Sequence, residues 1–245
     1  MTGETRRIGV LVPRGNVVHE REVERLRPEG VTIRVLPFDY PIGASDFCAS
    51  LGDSLVTPLA DLRRWGAEAV LVGCTTASMM CAGPGFDARL GELAGAPVIT
   101  AARASSLAAM ALGVGRLAVA SPYGEPNNKI VLDFLRREGF EIAALEALGL
   151  DADLDVWRAK AIPMPAEDVL ALCVAADCEG ADAVYLPCTG VGSLDAIAMF
   201  EQRTGKPAFS SVQAGFWATL RTAGIDGRQD GTGRLIREWP LPAEH

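Results

Sequence analysis

The sequence predicts an α/β protein of two halves related by a pseudo-twofold axis, each a mostly parallel sheet flanked by helices, with a cleft between them. Two observations carry this. Short apolar runs that end in Pro, Gly, Cys or Thr alternate with stretches whose apolar residues fall at helical spacing. The same series of phrases is also written twice along the 245 residues.

The strand-like runs come first. VLVP from Val10, AVLVGC from Ala69 and PVIT from Pro97 are uniformly apolar, as expected of parallel strands buried on both faces. Between the runs, SLVTPLADLRRWG from Ser54 and NNKIVLDFLRREG from Asn127 read as amphipathic helices closed by glycine. RIGVLVPRG at Arg7–Gly15 matches RLAVASPYG at Arg116–Gly124, an offset of 109 that also relates Glu29-Gly30 to Glu138-Gly139. GAEAVLVGCTT at Gly66–Thr76 matches GADAVYLPCTG at Gly180–Gly190, and GAPVIT at Gly95 matches GKPAFS at Gly205. One unit therefore occupies 1–115 and carries Cys74; its copy occupies 116–245 and carries Cys188, the repeated phrases ending near 225. The helix near Gly215 to Ala223 has the option of packing on the first half.

Bulk properties narrow the function. Charged residues interrupt every apolar stretch, so no run approaches the roughly 20 residues that span a bilayer, and MTGETRRIGVLVP lacks a small-residue cleavage site. The expectation is a soluble, cytoplasmic protein without a membrane partner. A formal net charge of -8 and the lack of a basic cluster argue against nucleic acid. The six cysteines, at 48, 74, 81, 173, 178 and 188, are irregularly spaced, which favours reduced thiols; no CxxC or neighbouring histidine suggests a metal site. No GxGxxG or P-loop phrase occurs, so no cofactor is expected.

Cys74 and Cys188 fall at matched strand ends, where ligands of parallel sheets bind. Cysteine is also a common small buried hydrophobe, a reading weakened by the repeated CT phrase. Thr75, Thr76 and Ser78 after the first cysteine, and Thr189, Gly190 and Gly192 after the second, offer hydroxyl and amide donors for a carboxylate or an enolate; helix capping is the other reading of the hydroxyls. Two thiols without a cofactor suit proton transfer next to a carboxylate, or thiol addition to an activated double bond.

Five phrases extend the reading: VLVPRGNVVHERE around Asn16, GCTTASMMCAGPG around Cys74, SPYGEPNNKIVLDFLRREGFEI around Tyr123, PCTGVGSLDAI around Cys188 and SSVQAGFWATLRTAGI near the end. In these the chain resembles the aspartate/glutamate racemase superfamily, and within it the branch of maleate cis-trans isomerases and arylmalonate decarboxylases. The resemblance implies an isomerase of a small mono- or dicarboxylic acid, with Cys74 as nucleophile and Cys188 as proton donor. It further implies that Asn16 and Tyr123 bind substrate carboxylates, assisted by Thr75, Thr76, Thr189 and Gly190, and that the protein is a homo-oligomer, a dimer. Where isomerases of this type carry asparagine, the closest position here holds Asp153, whose charge would repel a dicarboxylate. Decarboxylases of the branch keep only the second cysteine; a decarboxylase using Cys188 and an amino-acid or hydantoin racemase are the enzymatic alternatives, and a two-lobed acid-binding protein the non-enzymatic one. His19, beside Glu20 and Glu22, reads as a solvated helix residue; Arg14 and Arg103 are possible counter-charges; Met79, Met80 and Cys81 read as helix core.

Overall fold

In a computed structural model, residues 5–150 and 154–240 of the chain are described. The first unit runs β1 (Arg6–Pro13), α1 (Val17–Arg25), β2 (Val31–Phe38), α2 (Phe47–Trp65), β3 (Ala69–Val72), α3 (Thr75–Cys81), α4 (Pro84–Ala94), β4 (Val98–Thr100) and α5 (Ala101–Ala111). The second runs β5 (Arg116–Ser121), α6 (Glu125–Arg137), β6 (Glu141–Ala147), α7 (Leu154–Ala161), α8 (Ala166–Ala176), β7 (Ala183–Leu186), α9 (Leu194–Thr204), β8 (Ala208–Ser210), α10 (Ser211–Thr222) and α11 (Arg234–Glu238). The strands form two parallel four-stranded sheets of matching order, β2-β1-β3-β4 and β6-β5-β7-β8. β3 and β7 are four-residue strands buried on both faces, which is why AVLV and AVYL show no alternation.

Repeated glycines mark the points where the two sheets copy each other. Gly66 ends α2 at φ 81° and Gly180 precedes β7 at φ 83°, a left-handed turn that costs glycine little. The order within each sheet reverses direction beside its first strand: the chain leaves β1 for β2 on one side and reaches β3 on the other, and β5 repeats this with β6 and β7. A crevice opens at the carboxyl ends of such a pair.

The two units exchange their last helices. α10 packs on β3 and α5, with Gly215 so close to Leu71 that a Cβ there would sit 2.9 Å from Leu71 Cδ1. From the other side, the Ser105 hydroxyl on α5 lies 2.8 Å from Tyr185 Oη on β7, and that same phenol lies 2.8 Å from Ser211 Oγ on α10. Val212, Phe216, Trp217 and Leu220 bury the length of α10 in a core shared by both sheets.

Three sequence expectations need correction. Cys48 and Cys81 are joined in a disulfide, with Cα atoms 5.4 Å apart. Their separation of 33 residues hides the reason, which is that the first turn of α2 lies beside the last turn of α3. His19 is fully buried rather than solvated, its imidazole filling the space that Gly73 leaves by lacking a side chain; a Cβ on Gly73 would lie 2.0 Å from His19 Cε1. Met80 is 42 % exposed, whereas Met79 and Cys81 are buried. No helix among the described residues is long and apolar enough to cross a membrane. Asp153 lies outside the described residues.

Two stability predictions follow from these corrections. Closing a loop of this size restricts the unfolded chain, so reduction of the protein, or Cys48→Ser, should lower the free energy of unfolding in urea by about 3 to 4 kcal/mol. Equal midpoints for oxidised and reduced protein would count against the bond. Burial pushes the His19 pKa down from 6.5 to about 4; neither ring nitrogen reaches a partner in hydrogen-bonding geometry, although the Gly73 backbone is near enough to oppose the shift weakly. The unfolded chain then binds the proton first, so the full contribution is present above pH 6.5 and is lost as pH falls toward 4, about 3 kcal/mol in all. His19→Leu should flatten that slope in thermal melts recorded across the same range.

Candidate active site

A cavity of about 600 Å³ opens where the carboxyl ends of the two sheets meet. β1 ends in the turn that carries Asn16, β3 runs directly into Cys74, β5 ends at Ser121 two residues before Tyr123, and β7 is followed by Pro187 and Cys188. Asn16, Cys74, Thr75, Thr76, Tyr123, Cys188, Thr189 and Gly190 all line this space. Each sheet thus contributes the two turns that flank its own reversal point.

Local structure explains each placement. Asn16 caps α1, its Oδ1 accepting from the His19 N–H at 3.1 Å, while its Nδ2 donates to Thr189 Oγ1 at 3.2 Å across the cleft. Thr189 Oγ1 in turn donates to the Gly73 carbonyl at 3.2 Å. Cys74 takes the cap position of α3 in an extended conformation; its side chain makes no capping bond, and of the first-turn amides the Ala77 N–H is the one that favours its anion. The Ser78 hydroxyl anchors the turn by donating to the Cys74 carbonyl at 2.7 Å and accepting from the Ala102 N–H at 2.9 Å. Asn128 fixes Tyr123, with Nδ2 donating to the Tyr123 carbonyl at 2.8 Å.

Burial governs the electrostatics. The Cys74 thiol is pushed up to about 12 by desolvation, opposed by the Ala77 N–H and the Thr76 hydroxyl and reinforced by any charge on Cys188. Desolvation pushes the Cys188 thiol up to about 11, opposed by the Tyr123 hydroxyl and the Gly190 and Val191 N–H groups, of which the Gly190 N–H lies 3.2 Å from the sulfur. Both sulfurs are therefore neutral thiols near neutral pH, each held by donors that favour its anion. Thr75 Oγ1 is buried with no hydrogen-bond partner in the protein, a donor left for a ligand.

Residues outside the repeated phrases complete the wall. Tyr40, after β2, packs edge-on to Phe47 at 5.3 Å; burial, then the Cys74 charge, pushes its phenol up to about 12, opposed by the Thr76 side chain. Trp157 on α7 lies against Gly190, where a Cβ would come within 2.3 Å of the ring. Ile42, Leu150 and Ile162 extend the apolar side, and Arg158 reaches from α7 to donate to the Arg14 carbonyl at 2.9 Å. No spacing rule in the sequence points to these residues, because they sit on connections that differ between the units. Arg14 pairs with Asp39 at the exposed rim, and Arg103 lies in a separate groove with Asp87 and Glu138. Among the described residues, no group of three His, Cys, Asp or Glu side chains is placed to hold a metal.

Known proteins share this fold. The arylmalonate decarboxylase family model matches residues 45–236. The chain is 30% identical to the arylmalonate decarboxylase of Bordetella bronchiseptica and 28% identical to a maleate isomerase of Pseudomonas putida, in each case over 94% of this chain and 96% of the relative. Among solved structures, a Nocardia farcinica maleate cis-trans isomerase variant with a covalently bound succinylcysteine intermediate superposes with a TM-score of 0.82 at 26% identity, covering 95% of this chain and 98% of that one. Matched over most of its length in sequence and fold, the chain belongs to the arylmalonate decarboxylase family, whose relatives here are cysteine-bearing isomerases and decarboxylases.

Proposed function

We propose that the protein is a cofactor-independent cis-trans isomerase of a small unsaturated dicarboxylic acid, of the maleate isomerase type. The observation that carries this reading is a pair of free, buried thiols lining one cavity from the carboxyl ends of β3 and β7. In the proposed reaction the Cys74 thiol first gives its proton to water at the cavity mouth, and the resulting thiolate adds to one alkene carbon. The electron pair of the double bond moves to the neighbouring carbon and its carboxylate, and the Cys188 S–H delivers a proton there. Rotation about the resulting single bond brings the carboxylates trans. Cys188 then takes the proton back, the C–S bond breaks, and its electrons return to Cys74. Asn16 and Tyr123 would hold the carboxylates, with the unpartnered Thr75 hydroxyl, Thr76, Thr189 and the Gly190 amide stabilising the charge that builds between them. A covalent succinylcysteine in the Nocardia farcinica relative fits an addition of this kind.

A second reading has its own support. The cavity is wide for a four-carbon diacid, and Tyr40, Ile42, Leu150, Trp157 and Ile162 give it an apolar side that favours a diacid with an apolar substituent. A substituted malonate losing carbon dioxide would need only Cys188, to protonate the enediolate.

Proton NMR with maleate in deuterated buffer separates these readings. The expected outcome is loss of the cis vinyl signal and growth of fumarate, with Cys74→Ala and Cys188→Ala each slowing turnover by about 1,000-fold or more. Silence on maleate together with carbon dioxide release from a phenyl-substituted malonate, undiminished by Cys74→Ala, would replace the isomerase reading with the decarboxylase one.

A further inference from the structure

Glu22 is a buried carboxylate that the proposed chemistry does not use. It projects from α1 of the first unit into the second unit, and is 2 % exposed. Its Oε1 accepts from the Ser193 N–H at 2.5 Å and the Leu194 N–H at 2.9 Å, and its Oε2 from the Ser193 hydroxyl at 2.7 Å. Ser193 and Leu194 open α9, an 11-residue helix whose own cap side chain makes no capping bond, so Glu22 caps it from the other unit. The Ser193 hydroxyl also meets Ser210 Oγ at 2.8 Å, tying the clamp to the start of α10.

The segment so clamped is short. From Cys188 to Ser193 the chain reads Cys-Thr-Gly-Val-Gly-Ser, and it supplies the Gly190 and Val191 N–H groups that face the Cys188 sulfur. Two glycines leave this loop little intrinsic stiffness, so its far end must be fixed if the amides are to stay on the sulfur. Gly192 lies against the clamp, a Cβ there falling 3.9 Å from Glu22 Oε1. The repeat shows what is special about position 22: the offset of 109 that relates Arg7 to Arg116 places Val131 at the matching point of α6. Val131 is fully buried and apolar, so the turn after Cys74 meets no equivalent carboxylate.

We propose that Glu22 is a positioning residue for the Cys188 thiol alone: its hydrogen bonds fix the start of α9 and so hold the loop that carries the Gly190 N–H on the Cys188 sulfur. The proposal rests on the reading of Cys188 as the donor. Charged and titratable groups around the carboxylate are Arg21, Arg25 and His19 on its own helix, Asp195 on α9, paired with Arg25 at 2.6 Å, and Cys188 with Tyr123 on the cavity side. Burial pushes the Glu22 carboxyl up, opposed by the Leu194 N–H, the Ser193 hydroxyl and N–H, and Arg25.

The test is the pH dependence of Cys188 alkylation by iodoacetamide, read peptide by peptide by mass spectrometry so that Cys173 and Cys178 do not interfere, in a Cys74→Ala background. Glu22→Gln keeps a carbonyl for the two N–H groups, so the clamp survives and the midpoint of alkylation and kcat should both stay close to those of the unsubstituted protein. Glu22→Asp draws the acceptor back and releases the loop, so the midpoint should move up by about one pH unit and, in the otherwise native enzyme, kcat should fall at least about tenfold. An unmoved midpoint together with unchanged kcat in Glu22→Asp overturns the clamp even if the Gln variant does not fold. Alkylation needs no substrate, so a midpoint shifted in Glu22→Asp and restored in Glu22→Gln, in a protein inactive on every diacid tried, would uphold the clamp and reject the isomerase reading instead.

Discussion

The hydrogen bond from Thr189 Oγ1 to the Gly73 carbonyl runs from the residue after one thiol to the residue before the other, and the geometry of the cavity depends on it. With the Asn16 amide on the same hydroxyl, it forms a three-part bridge that sets how the carboxyl ends of the two sheets face each other. A single buried hydrogen bond contributes only about 1 kcal/mol, too little to hold two sheets together. The energy comes from the exchanged helices: Phe216, Trp217, Val212 and Leu220 on α10 are almost fully buried, and each such side chain stabilises the fold by roughly 1.5–3 kcal/mol. Apolar exchange therefore supplies the attraction, while the polar bridge selects one relative register out of several that packing alone would allow.

Burial sets the terms of the chemistry as well. The shared core excludes water from both sulfurs, which favours the thiol over the thiolate in each case. The amides and hydroxyls around them recover part of that loss, and they come from the first turn of a helix or from a glycine loop, where backbone N–H groups lack helical partners. Burial of this kind makes a thiolate, once formed, a stronger nucleophile than one in bulk water.

Much of this was legible in the sequence because it is periodic. Parallel strands buried on both faces must be continuously apolar, so VLVP, AVLVGC and AVYLPC mark the sheet and put the cysteines at its carboxyl edge. The expected site residues share one cavity for the same reason: each sits within a few residues of a strand end. What escaped notice depends on contacts between segments that have no repeat. His19 looked solvated beside Glu20 and Glu22, yet its burial is decided by Gly73, 54 positions away, which leaves room for the ring. The Cys48–Cys81 bond depends on how α2 and α3 pack, and Tyr40 and Trp157 reach the cavity from connections that only the folded chain brings near.

Duplication creates two thiols in equivalent settings, whereas addition and protonation require a nucleophile and an acid that differ. The difference must come from positions where the repeat fails. Tyr123 stands where the first unit has Arg14, and only the tyrosine turns toward a sulfur; Arg14 pairs with Asp39 at the rim. Tyr40 lies close enough to Cys74 for a charge on that sulfur to act on its phenol, and its counterpart at the same offset is Gly149, which has no side chain to offer. Glu22 stands opposite Val131. Each mismatch places a different group beside one sulfur than beside the other, so the shared phrases build the fold and the unshared residues make the surroundings of the two sulfurs unequal.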